Sequence, residues 1–380
     1  MSHASVRLRR AIVLVALALA SGVTSRAQET PEIPPYSVQP YMRARFDETG
    51  RALRFAGSTP NDVAVWRETA RAKLREIIGI PTMKRAPLNP NVTESVDCGD
   101  YTRERVEIQT EPGIVMPVYV LIPKEGKKPF PVMIAPHGHG GGGKLAVAGV
   151  GDNPDVAKSI EEHHYAYGVD LCKAGFIVFC PDARGFGERQ ELAAKERGIL
   201  QQSCQWLNNM AMPLGQTVTG MWVWDLMRLA DYVETRDDCD AKRMGCAGLS
   251  GGGLQTLWFT ALDDRVKAAV VSGYYYGVKE SLLDMHNNCS CNYVPHLWEN
   301  ADHGDLGALI APRPLMIQTG DEDSLNGAGG LDNVRPQIEL AHRVYEILGS
   351  PEFPKHDVFH GPHRWDSTNA VPFLVKKVKK

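Results

Sequence analysis

An excess of charge of one sign is missing from this chain: 42 Lys and Arg stand against 45 Asp and Glu, a formal net charge of −3. Without a basic face there is no long-range field to gather a polyanion, so nucleic acid is excluded as an expected partner. The closing run Lys376-Lys377-Val378-Lys379-Lys380 reads as a solvated helix end. Long apolar runs are scarce as well. The stretch Ala11 to Ala20 follows Arg7, Arg9 and Arg10 and precedes Ser25-Arg26-Ala27. It is too short for a stable span and has the three regions of a signal peptide, with cleavage expected after Ala27. No cysteine stands directly after that site, which argues against a lipid anchor, and no later stretch is long and apolar enough to cross a membrane. These features predict a secreted or periplasmic mature chain.

Cysteine is not abundant, but there are eight, and an oxidising compartment would permit disulfides. Cys180 and Cys246 fall in apolar strand-like runs and are expected to be buried. Cys289 and Cys291 sit in a polar loop and are bridge candidates, each with a partner that sequence does not assign. Their spacing, with His286 and His296 nearby, also invites a zinc reading. It matches no finger pattern, and an oxidising compartment disfavours it, so no metal and no cofactor are expected.

Glycine, by contrast, is plentiful and placed with purpose. Gly248-Leu249-Ser250-Gly251-Gly252 follows the apolar run Arg243–Ala247 and opens the helix-like stretch Leu254–Phe259. A strand, a Gly-lined serine and a helix make a nucleophile elbow, in which neighbours without a Cβ let strand and helix pass closely. Downstream, the apolar run Pro314–Gln318 ends in Thr319-Gly320-Asp321-Glu322-Asp323, and His363 follows in Phe359-His360-Gly361-Pro362-His363-Arg364-Trp365. Serine, then acid, then histidine is the α/β-hydrolase order. A serine hydroxyl needs an imidazole to take its proton and a carboxylate to fix the imidazole tautomer. Ser250, Asp323 and His363 are the candidates, with Asp321 or Glu322 as alternative acids and His360 as the competing histidine. Upstream, the run Pro131–Ala135 leads into Pro136-His137-Gly138-His139-Gly140-Gly141-Gly142-Gly143-Lys144. Amides of Gly138, His139 and Gly140, with that of Gly251, are expected to form an oxyanion hole. No Gly-Lys-Ser/Thr ending follows, so a phosphate-binding P-loop is disfavoured.

His137-Gly138-His139-Gly140-Gly141, Pro181-Asp182-Ala183-Arg184-Gly185-Phe186-Gly187-Glu188, the elbow, Cys291-Asn292-Tyr293-Val294-Pro295 and Ala311-Pro312-Arg313-Pro314 together resemble bacterial secreted α/β-hydrolases of the acetyl xylan esterase-like group. The resemblance spans roughly residues 60 to 370. It implies an ester hydrolase with its triad on Ser250, Asp323 and His363, acting on an acylated carbohydrate or a small ester. A departure is the elbow's Ser-Gly-Gly-Gly.

Strand-like and helix-like segments alternate along most of the chain, which predicts an α/β-hydrolase fold: a mostly parallel central sheet with helices on both faces. The expected organisation is a leader over 1–27, a helical segment over 28–92 and a catalytic domain over 93–380. Arg103–Ile108 and Ile114–Ile122 read as a hairpin; helices are expected near His164–Ala174 and Val218–Val233, and strands at Phe176–Phe179 and Val266–Val271. Insertions near 188–216 and 273–306 are expected to shape the substrate site, with Tyr274, Tyr275, Trp365 and Arg184 as substrate-binding candidates. A structural ion pair is the competing reading of Arg184 and Glu188, and core packing that of the aromatics. His163 and His164 read as helix-start residues without chemistry. Two other functions share the motifs. One is a serine peptidase of the prolyl-oligopeptidase type, against which the lack of a propeller-length N-terminal domain counts. The other is a catalytically silent fold that binds carbohydrate, which has no need of an ordered Ser, Asp and His.

Overall fold

Apolar side chains recur along the middle of the chain with strand and helix periods in alternation, and the computed structural model, which describes residue 34 and residues 36–379, builds a sheet from them. The expected leader lies outside the described residues. The strands are β1 (Asn91–Asp97), β2 (Tyr101–Glu111), β3 (Ile114–Pro123), β4 (Phe130–Ile134), β5 (Ile177–Pro181), β6 (Cys239–Leu249), β7 (Val266–Ser272), β8 (Leu315–Gly320) and β9 (Lys355–Phe359). They form one sheet in the order β1-β2-β3-β5-β4-β6-β7-β8-β9. β1, β2, β3 and β5 pair antiparallel, and every later neighbour pair is parallel. β4, β5 and β8 are buried at every position, as strands covered on both faces must be.

Helix Val218–Val233 is expected from its apolar period and found with those bounds, its start capped by the Thr217 side chain accepting from the Gly220 amide. Helices Gln39–Glu48 and Pro60–Ile77 lie in the N-terminal segment. The second carries a capping box between Thr59 and Asp62 and buries Val63, Ala70 and Leu74. Trp66 on it is packing: its indole donates to the Leu53 carbonyl at 2.6 Å and meets Phe55 edge-on. The helix expected near 164–174 is instead two, Pro154–His163 and Tyr167–Lys173, separated by His164 in a left-handed conformation. His163 therefore ends a helix, where it reads in sequence as starting one. Among the described residues no helix is long and apolar enough to cross a membrane. The parallel strands β6, β7 and β8 end side by side, and the turns that follow them carry Ser250, Gly273 and Asp323.

Candidate active site

β6 runs directly into helix Gly251–Leu262, and the residue at the junction is Ser250, with φ 59° and ψ −121°. A side-chain-bearing residue held there is strained, and the surroundings impose it. Its amide donates to the Ser272 carbonyl at 2.9 Å, and its own carbonyl accepts from the Leu254 amide at 2.9 Å. The hydroxyl faces a cavity of about 320 Å³ that His363, His139, His163, Tyr165, Tyr274 and Tyr276 also line.

After β8, Gly320 is followed by a turn in which Asp323 caps the short helix Ser324–Asn326 by accepting from the Leu325 amide at 2.9 Å. Its other carboxylate oxygen accepts from His363 Nδ1 at 2.6 Å, and the Asp323 side chain is 1% exposed. A carboxylate oxygen accepts, so the ring proton sits on Nδ1 and Nε2 is left free to act as a base. The alternative residues pair with each other instead: Asp321 Oδ2 lies 3.3 Å from His360 Nδ1, with the His360 side chain 82% exposed. Opposite His363, Gly273 has φ +59°, and a Cβ built on it would stand 2.7 Å from His363 Cε1. The imidazole thus occupies space that only a glycine leaves open.

The glycine loop after β4 closes over the serine. A Cβ on Gly138 would lie 2.9 Å from Ser250 Cβ, and one on Gly251 would lie 2.9 Å from His139 Nδ1, so both glycines and the His139 ring border the nucleophile. Gly251 is the first residue of its helix, and its N–H is one of the donors a helix start leaves without an internal partner. Gly140, with φ +74°, has open space where a Cβ would stand. Buried polar groups pin the loop. His137 Nδ1 donates to the Gly138 carbonyl at 2.8 Å while its Nε2 accepts from the Ala183 amide at 3.1 Å, and burial pushes its pKa down, which favours this neutral ring. Gln255 donates to the His137 carbonyl at 2.9 Å, and Tyr165 donates to the His139 carbonyl at 2.8 Å.

Of the expected substrate-binding residues, only Tyr274 lines the cavity. Tyr275 does not line the cavity, and its hydroxyl lies 3.4 Å from the Gln337 carbonyl in the interior. Trp365 is fully buried, stacked on Tyr167 with ring centroids 4.7 Å apart. Arg184 is held in the interior by Asp225 and Glu111, both at 2.8 Å. Glu188 does not pair with it, binding Lys144 and Arg105 instead.

Residues that sequence reasoning passed over complete the site. Asn287, Asn288 and Asn292 line the cavity from the 273–306 insertion, beside Tyr276. His163 lines it too, and its Nδ1 lies 3.0 Å from the His363 carbonyl oxygen, to which it donates. Cys289 and Cys291 do not reach toward His286 or His296, which are both exposed; with Cys204 and His139 they form one cluster whose ligand atoms lie within 4.8 Å of one another. No disulfide is present among the described cysteines. Hydrogen bonds from Cys204 and Cys291 pull the Cys289 thiol far down, while burial pushes the other two up.

A family model described as the Abhydrolase family matches residues 41–371. The hydrolase-like protein YtaP of Bacillus subtilis (strain 168) is 29% identical over 230 residues, covering 60% of this chain and 71% of that protein. An acetyl xylan esterase-like protein from Bacteroides fragilis superposes with a TM-score of 0.75 at 19% identity, over 91% of this chain and 95% of that one. A glucuronoyl esterase from Solibacter usitatus does so with a TM-score of 0.62 at 16% identity, over 86% of this chain and 97% of that one. At these identities the two structures share the fold with this chain.

Proposed function

The chain belongs to the Abhydrolase family, and on that premise we propose that it is a serine carboxylic-ester hydrolase that deacylates plant polysaccharide or its oligosaccharides. The observation that carries this reading is the placement of Ser250 on a strained strand-to-helix turn, in one cavity with His363, whose imidazole is held by buried Asp323. In the reaction, Ser250 Oγ attacks the ester carbonyl as His363 Nε2 takes its proton, and Asp323 stabilises the imidazolium. Amides of Gly251 and of the 138–140 loop receive the charge that develops on the carbonyl oxygen. The alcohol leaves with the proton from His363, and water then hydrolyses the acyl-serine by the same steps reversed.

Acylated carbohydrate is favoured as substrate by the cavity's lining of tyrosine, asparagine and histidine, which suits a hydroxyl-rich ring better than a long acyl chain. The names of the structurally similar acetyl xylan and glucuronoyl esterases support the same class. We further propose that residues 1–27 are a leader removed on export. Purified protein assayed on acetylated xylan, short p-nitrophenyl esters and peptide amides tests the activity. Acetate release from xylan with no amide cleavage is expected; preferential amide cleavage, or turnover of none of the three, would contradict it.

A further inference from the structure

Three thiols and an imidazole converge beside the nucleophile, brought there from three parts of the chain. His139 comes from the glycine loop, Cys204 starts helix Cys204–Ala211 in the 188–216 insertion, and Cys289 and Cys291 flank one turn of the 273–306 insertion. Cys204 and Cys291 are fully buried, and Cys289 borders the cavity. His139 Nε2 lies 3.5 Å from Cys291 Sγ. In a tetrahedral zinc site with Zn–S near 2.3 Å and Zn–N near 2.05 Å, adjacent sulfur and nitrogen ligands stand about 3.6 Å apart, and adjacent sulfurs about 3.8 Å. The observed spacing needs at most a contraction of roughly an ångström to meet that geometry, since all four atoms already lie within 4.8 Å of one another.

We propose that Cys204, Cys289, Cys291 and His139 bind one zinc ion that staples both insertions to the oxyanion loop. A disulfide would use two of the three thiols and leave a third buried beside an imidazole, whereas one thiophilic cation uses every group in the cluster. Binding sends the thiol protons to solvent, leaves three thiolates on the metal, and draws the lone pair of a neutral His139 Nε2. The ring proton is then fixed on Nδ1, the nitrogen that stands over Gly251. On the esterase reading, the metal would thereby hold an imidazole N–H toward the oxyanion position and make His139 a donor there by its side chain as well as its backbone. The cavity gives the ion a path in, past Cys289.

The test uses full-length protein made in zinc-supplemented medium and purified without chelator. Metal analysis by plasma mass spectrometry should find one zinc per chain. After removal of the metal by a chelator, added cobalt should give the thiolate-to-metal charge-transfer and intense d–d bands of a tetrahedral sulfur-rich site. Cys204→Ser should weaken zinc binding by more than the roughly 10–100-fold that losing a supporting partner costs. Loss of a buried ligand also strains the fold, so the wild-type chain supplies a second readout. Zinc should protect Cys289, the ligand that borders the cavity, from alkylation, as mapped on peptides, and leave Cys98 unaffected. A metal-free protein that takes up neither zinc nor cobalt, or a disulfide joining two of the three cysteines in the protein as isolated, would overturn the site. Metal content and cobalt spectra are read without any ester, so the zinc site stands or falls separately from the esterase reading.

Discussion

Oδ2 of Asp323 accepts from Nδ1 of His363 at 2.6 Å with the carboxylate shut away from water, whereas the neighbouring pair, Asp321 and His360, stands 3.3 Å apart with the histidine in solvent. Two acid–histidine pairs thus lie two and three residues apart in sequence, and only one reaches the cavity that holds Ser250. Asp323→Asn keeps the shape of the carboxyl but allows the wrong imidazole tautomer, so kcat should fall by roughly three to four orders of magnitude. Asp321→Asn and His360→Ala should stay within a few-fold of wild type, and His363→Ala should be as damaging as Asp323→Asn. Steady-state kinetics on the four variants decides the register: a larger loss at Asp321 or His360 would move the proposed triad to the exposed pair.

Gly273 offers an independent probe of where the imidazole must sit. Alanine there would combine a strained positive φ with a methyl 2.7 Å from His363 Cε1. Displacing the ring by about an ångström should lower kcat by on the order of 100-fold, while circular dichroism shows an intact fold. Unchanged turnover in Gly273→Ala would mean that His363 works from another position.

Asp225 ties fold stability to acid pH. Burial pushes its carboxyl up, but the Arg184 and Arg189 guanidiniums at 2.8 and 2.7 Å outweigh burial and hold it down at about 2. A depressed acid contributes stability that is present above its unfolded value of 3.8 and lost as pH falls from there through about 2. Asp225→Asn leaves the buried Arg189 guanidinium without its counterion, Arg184 keeping Glu111, and should cost about 3–5 kcal/mol at neutral pH. Its stability should also vary less between pH 4 and pH 2 than that of wild type. Urea unfolding followed across that range checks both, and parallel pH curves for the two proteins would remove Asp225 from the account.

The proposed leader is checked on protein recovered from outside the cytoplasm of the producing cell. Intact-mass measurement should show a chain beginning at Gln28. A full-length chain in that fraction would rule out cleavage after Ala27.

Local patterns made much of this legible. The hairpin of β2 and β3, the helix Val218–Val233 and the strand β7 announce themselves because the period of apolar residues is set by neighbours in sequence. The turn at Ser250 was readable from its glycines for the same reason. What sequence hid was non-local. Tyr274, Tyr275 and Tyr276 look alike as a triplet and all three are buried, yet only the first and third line the cavity, while the middle one turns to the Gln337 carbonyl. Trp365, two residues after His363, had to turn back onto Tyr167. His163 reaches the cavity because the chain breaks at His164, whose positive φ has no glycine to announce it. The cysteine cluster draws on residues 139, 204, 289 and 291, so no spacing along the chain could announce it, and His286 and His296, close in sequence, lie exposed instead.

The central claim, that Ser250 is an activated nucleophile, is tested most directly by treating the folded protein with a fluorophosphonate and mapping the adduct by peptide mass spectrometry. A single adduct on Ser250 is expected, with labelling abolished in Ser250→Ala and ester turnover reduced by several orders of magnitude in that variant. A folded Ser250→Ala protein that still labels, or that keeps most of its esterase activity, would contradict the serine mechanism.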